Sequence, residues 1–210
     1  MNALLEAIRQ GDTEKAGGLA RDLIKAGVDP LEALNLITKT LKEIGDAFGR
    51  GELFLVHMIM ASDAAKSVMS ILSPEVKRRK EVIKYLGRVL IGTVAGDIHD
   101  IGKRLVATFL EMEGFEVIDI GIDVPTVTFV EKVRELRPDV LGLSALVTST
   151  MPVQGEIVQA LKKAGLRNNL KVVVGGSAVS AAWAEEVGAD AFGNDAVEAV
   201  TQVKALINKK

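Results

Sequence analysis

The sequence predicts an α+α/β chain, in which an N-terminal four-helix bundle cap precedes a five-stranded parallel sheet flanked by helices. Up to residue 73, apolar side chains recur at spacings of three and four, which is typical of amphipathic helices. After residue 88, short apolar runs alternate with helical stretches, which is typical of a parallel sheet with helices on both faces. We therefore predict a helical domain over 1–73, a linker over 74–87 and an α/β domain over 88–210.

The helical domain divides into two short and two long helices. Residues 4–10 and 13–26 form the short ones, with Asp12 or Thr13 suited to an N-cap and Gly27 to a stop. Pro30 suits the first turn of the third helix. The third and fourth helices are marked by apolar spacing from Leu34 to Phe48 and from Leu55 to Leu72. Short connections between four such helices predict an antiparallel bundle.

A charged run over 75–81 follows the bundle. Lysines and arginines in it are balanced by glutamates, so we interpret it as a solvated helix or linker and not as a nucleic-acid contact. We place a hinge between the two domains in the charged segment 74–86.

Five strands and five helices are expected after the linker. The strands are predicted at 89–94, 115–120, 140–144, 170–174 and 189–192, and the helices at 103–113, 126–136, 152–164, 179–187 and 195–208. A chain of this length suits the flavodoxin-like strand order 2-1-3-4-5, a doubly wound relative of the Rossmann fold. In that order the loops after strands 1, 3 and 4 share one crevice.

Composition excludes several classes of function. The 26 Lys and Arg nearly cancel 28 Asp and Glu, leaving a net charge of −2 and no basic field for nucleic acid. The absence of cysteine removes disulfides, thiolate zinc sites and cysteine nucleophiles, and it fits a reducing cytoplasm. The first ten residues lack a signal peptide's apolar core, and no apolar run approaches about 20 residues. We expect a cytoplasmic protein without nucleic-acid or membrane partners.

The stretch Gly96-Asp97-Ile98-His99-Asp100-Ile101-Gly102-Lys103 lies between the first strand and its helix. A metal-binding histidine usually has its other ring nitrogen held by a carboxylate, and Asp97 is suitably placed to hold His99. Taken alone, His99 is better interpreted as a loop residue that caps the helix. A zinc site lacks further ligands, and neither G-x-G-x-x-G nor G-x-x-x-x-G-K-[ST] follows this strand.

Two other loops of the expected crevice are small and hydroxylated. Ser144-Ala145-Leu146-Val147-Thr148-Ser149-Thr150 follows strand 3, and Gly175-Gly176-Ser177 follows strand 4. Paired glycines allow a ligand to approach the backbone, and hydroxyls offer hydrogen bonds without bulk. The turn after strand 2, at 121–125, is interpreted as an ordinary connection into a helix.

Together these loops resemble a known family. Asp97-x-His99-x-x-Gly102, Ser144-x-Leu146 and Gly175-Gly176 are similar to the three-part signature of cobalamin-binding domains in methionine synthase, corrinoid mutases and corrinoid methyl carriers. Phe48-Gly49-x-Gly51-x-x-Phe54-Leu55 resembles the helical cap of the methyl-transferring members. Val56 and His57 depart from the pattern, since many relatives have proline and then an acidic or amide residue there.

The resemblance implies a cobalamin bound base-off, with a histidine replacing its own lower base. It makes His99 the lower axial cobalt ligand, Asp97 its hydrogen-bond partner and Thr150 the hydroxyl that completes the relay. It implies a slot for the nucleotide tail and an apolar cover over the methyl-bearing face. The implied cofactor contacts are Asp97, Ile98, His99, Asp100, Ile101, Gly102, Ser144, Leu146, Thr148, Thr150, Gly175, Gly176 and Ser177 for the loop and slot, and Phe48, Phe54, Leu55 and Met58 for the cover.

The implied function is that of a corrinoid methyl carrier, a cofactor-bearing subunit that cycles between cob(I)alamin and methylcobalamin. The implied partners are a donor-specific methyltransferase, a second methyltransferase that uses tetrahydrofolate or coenzyme M, and a reductive activase. Donors compatible with such carriers are methoxylated aromatics (O-demethylation), methylamines and methanol. The alternative is a cobalamin-dependent sensor, although its cap would be expected to carry a tryptophan that is absent here.

Overall fold

The computed structural model describes residues 1–79 and 83–208. Four helices occupy the first part of the chain: α1 Asn2–Arg9, α2 Thr13–Lys25, α3 Pro30–Gly49 and α4 Leu55–Arg78. The Asp12 carboxylate accepts a hydrogen bond from the Lys15 N–H, and Asp29 accepts one from the Leu31 N–H. Each aspartate satisfies a backbone donor that the first turn of its helix leaves free. The predicted starts of the second and third helices are therefore confirmed, whereas α1 begins at Asn2, two residues before its predicted start.

Helix α4 is longer than the sequence predicted. It continues through Pro74 to Arg78, so the first five residues of the predicted 74–87 linker are helical. Val76 is buried, and burial of this side chain favours one more turn despite the proline. The expected hinge within 74–87 falls partly on residues 80–82, which lie outside the described residues.

Apolar side chains crowd the start of α4. Phe54 precedes the helix and is 76% exposed, and Leu55, Val56 and Met60 are also exposed. The Phe54 N–H donates to His57 Nδ1 at 3.1 Å, so His57 caps the helix from its third position. Of the described helices, α4 alone has the length and apolar content of a membrane span. It packs against α2 and α3, as the core helix of a bundle does.

The second part of the chain is a parallel sheet. Its strands are β1 Arg88–Thr93, β2 Glu116–Asp119, β3 Val140–Ser144, β4 Lys171–Gly175 and β5 Ala191–Gly193. They pair in parallel in the order β2-β1-β3-β4-β5, which confirms the predicted fold class. The helices between and after them are α5 Ile101–Met112, α6 Thr126–Leu136, α7 Met151–Lys163, α8 Ala181–Val187 and α9 Ala196–Asn208. A short 3-10 turn at Arg167–Asn169 precedes β4.

The two faces of this sheet bury different neighbours because side chains alternate along each strand. The cross-strand row Leu90, Leu141 and Val172 faces a core that includes Phe129 of α6 and Ile157 of α7. The adjacent row, Ile91, Gly142 and Val173, points to the opposite face, where it lines a cavity with residues of α5 and α9.

The chain forms two compact units. One comprises residues 1–85 with 111–114, and the other comprises residues 86–110 with 115–210. Every residue that lines the cavity belongs to the second unit.

Candidate functional site

Asp97 is the centre of the site. Its side chain is buried, and it accepts four hydrogen bonds from three segments of the chain. Oδ1 accepts from the His99 N–H at 3.0 Å and lies 2.7 Å from His99 Nδ1. Oδ2 accepts from the Leu146 N–H at 2.7 Å and from the Thr150 hydroxyl at 2.8 Å. One carboxylate thus joins the loop after β1, the loop after β3 and the start of α7.

These contacts determine the charge of Asp97. Burial by itself raises the pKa of a carboxyl, but the hydrogen bonds from the His99 N–H, Thr150, the Leu146 N–H and the His99 ring outweigh burial. The pKa of Asp97 is therefore held well below its usual range, and the carboxylate is ionised at neutral pH.

The charge of Asp97 in turn selects the tautomer of His99. An ionised carboxylate only accepts hydrogen bonds, so the ring nitrogen 2.7 Å away must carry a proton. In a neutral imidazole the other nitrogen, Nε2, then has a free lone pair. The His99 side chain is 52% exposed, and within the described residues Nε2 has no hydrogen-bond partner. Such a nitrogen is suited to bind a metal.

The backbone around His99 is fixed by residues that sequence analysis did not single out. The buried Thr93 hydroxyl donates to the His99 carbonyl at 3.0 Å. Asp123 accepts from the Gly96 N–H at 2.7 Å and donates its own N–H to the Asp97 carbonyl at 2.9 Å. The turn after β2, interpreted as ordinary, therefore holds the histidine loop in place.

A cavity of about 730 Å³ opens beside His99. It is bounded by the loops after β1, β3, β4 and β5 and runs over the sheet face between α5 and α9. A volume of this size lies in the range of about 300–1,000 Å³ that is usual for small-molecule sites. The carboxyl edge of a parallel sheet, beside the switch between β1 and β3, is the expected place for a ligand.

Glycines give the cavity its depth. Gly142 lies in the middle of the central strand β3, where a Cβ would come within 3.1 Å of the Ile91 side chain. At the strand ends, Ser144, Gly175 and Gly193 lie side by side in register and line the cavity. Gly193 also admits α9, because a Cβ there would lie 2.6 Å from Ala199 Cβ.

Most of the predicted slot residues line this cavity, and a few lie elsewhere. The lining includes Ile98, His99, Asp100, Ile101, Gly102, Ser144, Leu146, Gly175, Gly176 and Ser177. Asp97 and Thr150 are buried beside it and bonded to each other. Thr148 is exposed and is not part of the lining, so the structure gives no support to its expected contact.

In the helical unit, the predicted cover residues differ in exposure. Phe54 and Leu55 are exposed, Phe48 is half-buried and Met58 is buried. Met58 therefore has no free surface to offer in this conformation, and its expected contact stays a prediction.

One side of the cavity was not predicted from the sequence. Gly193 ends β5, and Asn194, Asp195 and Ala196 follow it; all four line the cavity, although only the loops after strands 1, 3 and 4 were expected to meet. The signal was available, since β5 is next to β4 in the predicted order and Gly-Asn-Asp follows it directly. Lys103, which also lines the cavity, forms an ion pair with Asp119 that no local pattern indicated.

Comparison with known proteins decides the family. A family model described as a B12 binding domain matches residues 87–201, and a second model with the same description matches residues 1–73. The chain belongs to the cobalamin-binding corrinoid proteins. It is 47% identical to the trimethylamine corrinoid protein of Methanosarcina barkeri, over 97% of this chain and 94% of that one. It is 43% identical to dimethylamine corrinoid protein 2 of Methanosarcina acetivorans, over 88% of this chain and 87% of that one.

Solved structures of corrinoid proteins share the fold. A cobalamin-binding protein from Desulfitobacterium hafniense is 33% identical, with a TM-score of 0.64, and the match covers 98% of this chain and 97% of that one. The methanol:cobalamin methyltransferase complex MtaBC from Methanosarcina barkeri contains a chain that is 25% identical, with a TM-score of 0.87. That match covers 99% of this chain and 79% of the other.

Cobalamin is the cofactor of this family, and the cavity fits it. The open sheet face at Gly142 is a recess that a Cβ would narrow, and the cavity volume can hold a nucleotide-sized group. Nε2 of His99 offers a lone pair at the cavity's edge, whereas no cluster of three or more metal-ligating side chains exists in the described chain. Within the described residues, the site therefore suits a metal that brings most of its own ligands, as the cobalt of cobalamin does.

Proposed function

We propose that this corrinoid protein carries methyl groups between two methyltransferases, with His99 as the lower axial ligand of cobalt. The observation that supports the proposal best is the Asp97–His99 pair, which engages Nδ1 and leaves Nε2 as the nitrogen available to a metal beside a cavity suited to a nucleotide tail. The methylamine and methanol systems named among its relatives support the methyl-carrier role.

The protein's own residues supply binding and control of the ligand. When bound, cobalamin supplies a cobalt that accepts a methyl group and later releases it. The Asp97 carboxylate holds the proton on His99 Nδ1 and raises the electron density at Nε2, since an acceptor at one ring nitrogen makes the other more basic. Thr150 and the Leu146 N–H keep that carboxylate ionised and oriented. Movement of a proton along the hydrogen bonds that join His99, Asp97 and Thr150 would adjust how strongly His99 binds cobalt.

The proposed cover is the apolar start of α4. Phe54 and Leu55, with Phe48, would shield the methyl-bearing face from water and oxidants. The joint exposure of Phe54, Leu55 and Val56 supports this role, because a group of adjacent apolar side chains left in water marks an interaction or ligand site. Such a cover has to move when a methyltransferase approaches the cobalt.

We propose a methylamine as the methyl donor. Relatives named for trimethylamine and dimethylamine are 42–47% identical to this chain over most of their length. The methanol system's matching chain is 25% identical. A second methyltransferase, using coenzyme M or tetrahydrofolate, and a reductive activase complete the proposed set of partners.

Reconstitution tests the core of the proposal. The protein refolded with hydroxocobalamin should retain the cofactor after desalting and show an absorption spectrum of histidine-ligated cobalamin. Reduced protein mixed with a trimethylamine methyltransferase and trimethylamine should then acquire the spectrum of the methylated cofactor. A colourless protein after desalting would refute the function. Methylation by the methanol enzyme alone would refute the choice of donor.

A further inference from the structure

The deep end of the cavity is built from hydrocarbon. Its floor is the cross-strand row Ile91, Gly142 and Val173, which lies in the middle of the sheet. Leu105 and Val106 of α5 form one wall, and Ala199 of α9 lies on the other side. Since β3 and β4 are paired on both sides, the strand ladder occupies the backbone groups of Gly142 and Val173.

Polar lining groups are found at the mouth instead. His99, Asp100, Ser177, Asn194 and Asp195 all lie in the loops that follow the strands or at the start of α9. Ser144 is the last residue of β3. Lys103 also lines the cavity, but its ammonium is engaged by the Asp119 carboxylate.

We infer that this slot selects cobamides whose lower base is a benzimidazole over cobamides whose lower base is a purine. The inference rests on the proposed function, in which the displaced lower base enters the slot. The far edge of a benzimidazole is hydrocarbon, so its burial against Ile91, Val106 and Val173 breaks no hydrogen bond with water. An adenine carries an exocyclic amino group and extra ring nitrogens. At this depth these polar groups would lose their hydrogen bonds to water and find no partner in the protein.

The size of the preference follows from those groups. A buried donor or acceptor without a partner weakens binding by about tenfold or more. We therefore expect the full chain to bind hydroxocobalamin at least about tenfold more tightly than the corresponding cobamide with an adenine lower base. Equilibrium titration of refolded protein, followed by the change in the cofactor's absorption spectrum, measures both dissociation constants.

The outcomes separate this inference from the proposed function. Equal affinities, or tighter binding of the adenine form, with a histidine-ligated spectrum for both would overturn the inference alone. If neither cofactor binds, the proposed function fails and the inference fails with it.

A variant tests whether the floor of the cavity produces the preference for a benzimidazole lower base. Val173→Thr keeps the volume of the side chain and adds a hydroxyl to the floor, so it should narrow the preference severalfold. Val197→Thr is the matched control: Val197 is exposed on α9 and outside the lining, so the preference should stay as in the wild type. An unchanged preference in folded Val173→Thr, judged by circular dichroism, would contradict the assignment to this row. If Val173→Thr does not fold, the wild-type comparison still decides the inference.

Discussion

At the scale of single residues, Asp97 is the side chain that joins the loops of the site and orients His99. It is 1% exposed, and its four hydrogen bonds replace the water that an ionised carboxylate would otherwise need. The same contacts orient His99 and fix its tautomer. The proposed metal ligand, His99, and the carboxylate that joins the loops, Asp97, are therefore different residues, and mutation can test the two roles separately.

His99→Ala should remove the ligand and preserve the fold. The His99 side chain is 52% exposed, so we expect its loss to change the free energy of unfolding by less than about 1 kcal/mol. The spectrum of bound cobalamin should lose its histidine-ligated form. His57→Ala, which replaces the chain's other histidine, is the control and should keep that spectrum. A histidine-ligated spectrum in His99→Ala would contradict the assignment.

Asp97 should make stability depend on pH. A carboxyl whose pKa is lower in the folded than in the unfolded chain stabilises the fold above its ordinary pKa of about 3.9, and this contribution declines as the pH falls toward the folded value. We expect Asp97→Asn to be less stable than the wild type by a constant amount between about pH 5 and 7. The difference should shrink below about pH 4. Urea unfolding across this range measures it; a difference independent of pH would contradict the ionised state.

Some of these roles can be predicted from sequence and others cannot. The Asp97–His99 pair follows from a spacing of two within one loop, and Thr150 follows from the family resemblance. The contact with Leu146 uses its backbone N–H, so the leucine side chain gives no signal of it. Thr93 looked like an ordinary strand residue, because only the folded loop brings the His99 carbonyl to its hydroxyl.

At the scale of elements, the turn after β2 braces the histidine loop. Asp123 has a φ of +52°, a conformation that asparagine and aspartate tolerate better than most residues. Its carboxylate and its N–H both contact the loop that carries Asp97. The loop that leads into α5 is therefore held by the turn after β2 as well as by its own attachment to β1.

Replacing Asp123 should loosen that brace. Asp123→Ala loses the acceptor for the Gly96 N–H and strains the backbone, so we expect a loss of about 1–3 kcal/mol in the free energy of unfolding. The fraction of histidine-ligated cofactor should fall as well. Asp123→Asn keeps an acceptor oxygen and the backbone preference, and should stay close to the wild type. Equal behaviour of the two variants in denaturation and in spectra would argue against the brace.

The glycine in the middle of β3 should control access to the slot. Gly142→Ala places a Cβ within 3.1 Å of the Ile91 side chain and narrows the cavity, so cobalamin affinity should fall by about tenfold. Gly18→Ala is the control, because a Cβ there meets nothing within 4 Å. It should leave binding unchanged. Titration with hydroxocobalamin compares them, and unaltered affinity in Gly142→Ala would mean that the cofactor does not use this depth.

Element order and bounds were largely predictable because each apolar period is local. The strand order followed from the length of the chain and the number of βα units, and the structure confirms it. The end of α4 was missed because the charged run after Pro74 resembles a linker, whereas the burial of Val76 depends on contacts that are distant in sequence. The contribution of β5 to the cavity was not predicted, because only the loops after strands 1, 3 and 4 were expected to meet, although β5 lies next to β4.

At the scale of the whole molecule, the chain assigns different tasks to its two compact units. The sheet unit contains every residue that lines the slot, and the helical unit bears the exposed apolar start of α4. Under the proposed function, the sheet unit holds the cofactor and the helical unit protects it. Sequence periods predicted both kinds of unit, but they carry no information on how a cover moves.

Phe54→Ala tests protection. Because Phe54 is 76% exposed, the substitution should cost less than about 0.5 kcal/mol in the free energy of unfolding. Under the proposed function, reduced cobalamin bound to the variant should be oxidised by air severalfold faster, as followed by absorbance after mixing with oxygenated buffer. Val127→Ala, at an exposed position on α6 away from the start of α4 and outside the cavity lining, is the control. Identical oxidation rates in the two variants and the wild type would remove Phe54 from the cover.

The single tryptophan gives this chain an optical reporter of its own. Trp183 donates its indole N–H to Gln154 Oε1 at 3.0 Å, and the Gln154 amide in turn donates to the carbonyls of Leu143 and Gly175. Those two carbonyls belong to the strand ends that border the cavity. Because one amide links the indole to both strand ends, we expect Trp183 fluorescence to change when a ligand enters the slot, which would report binding without an attached dye.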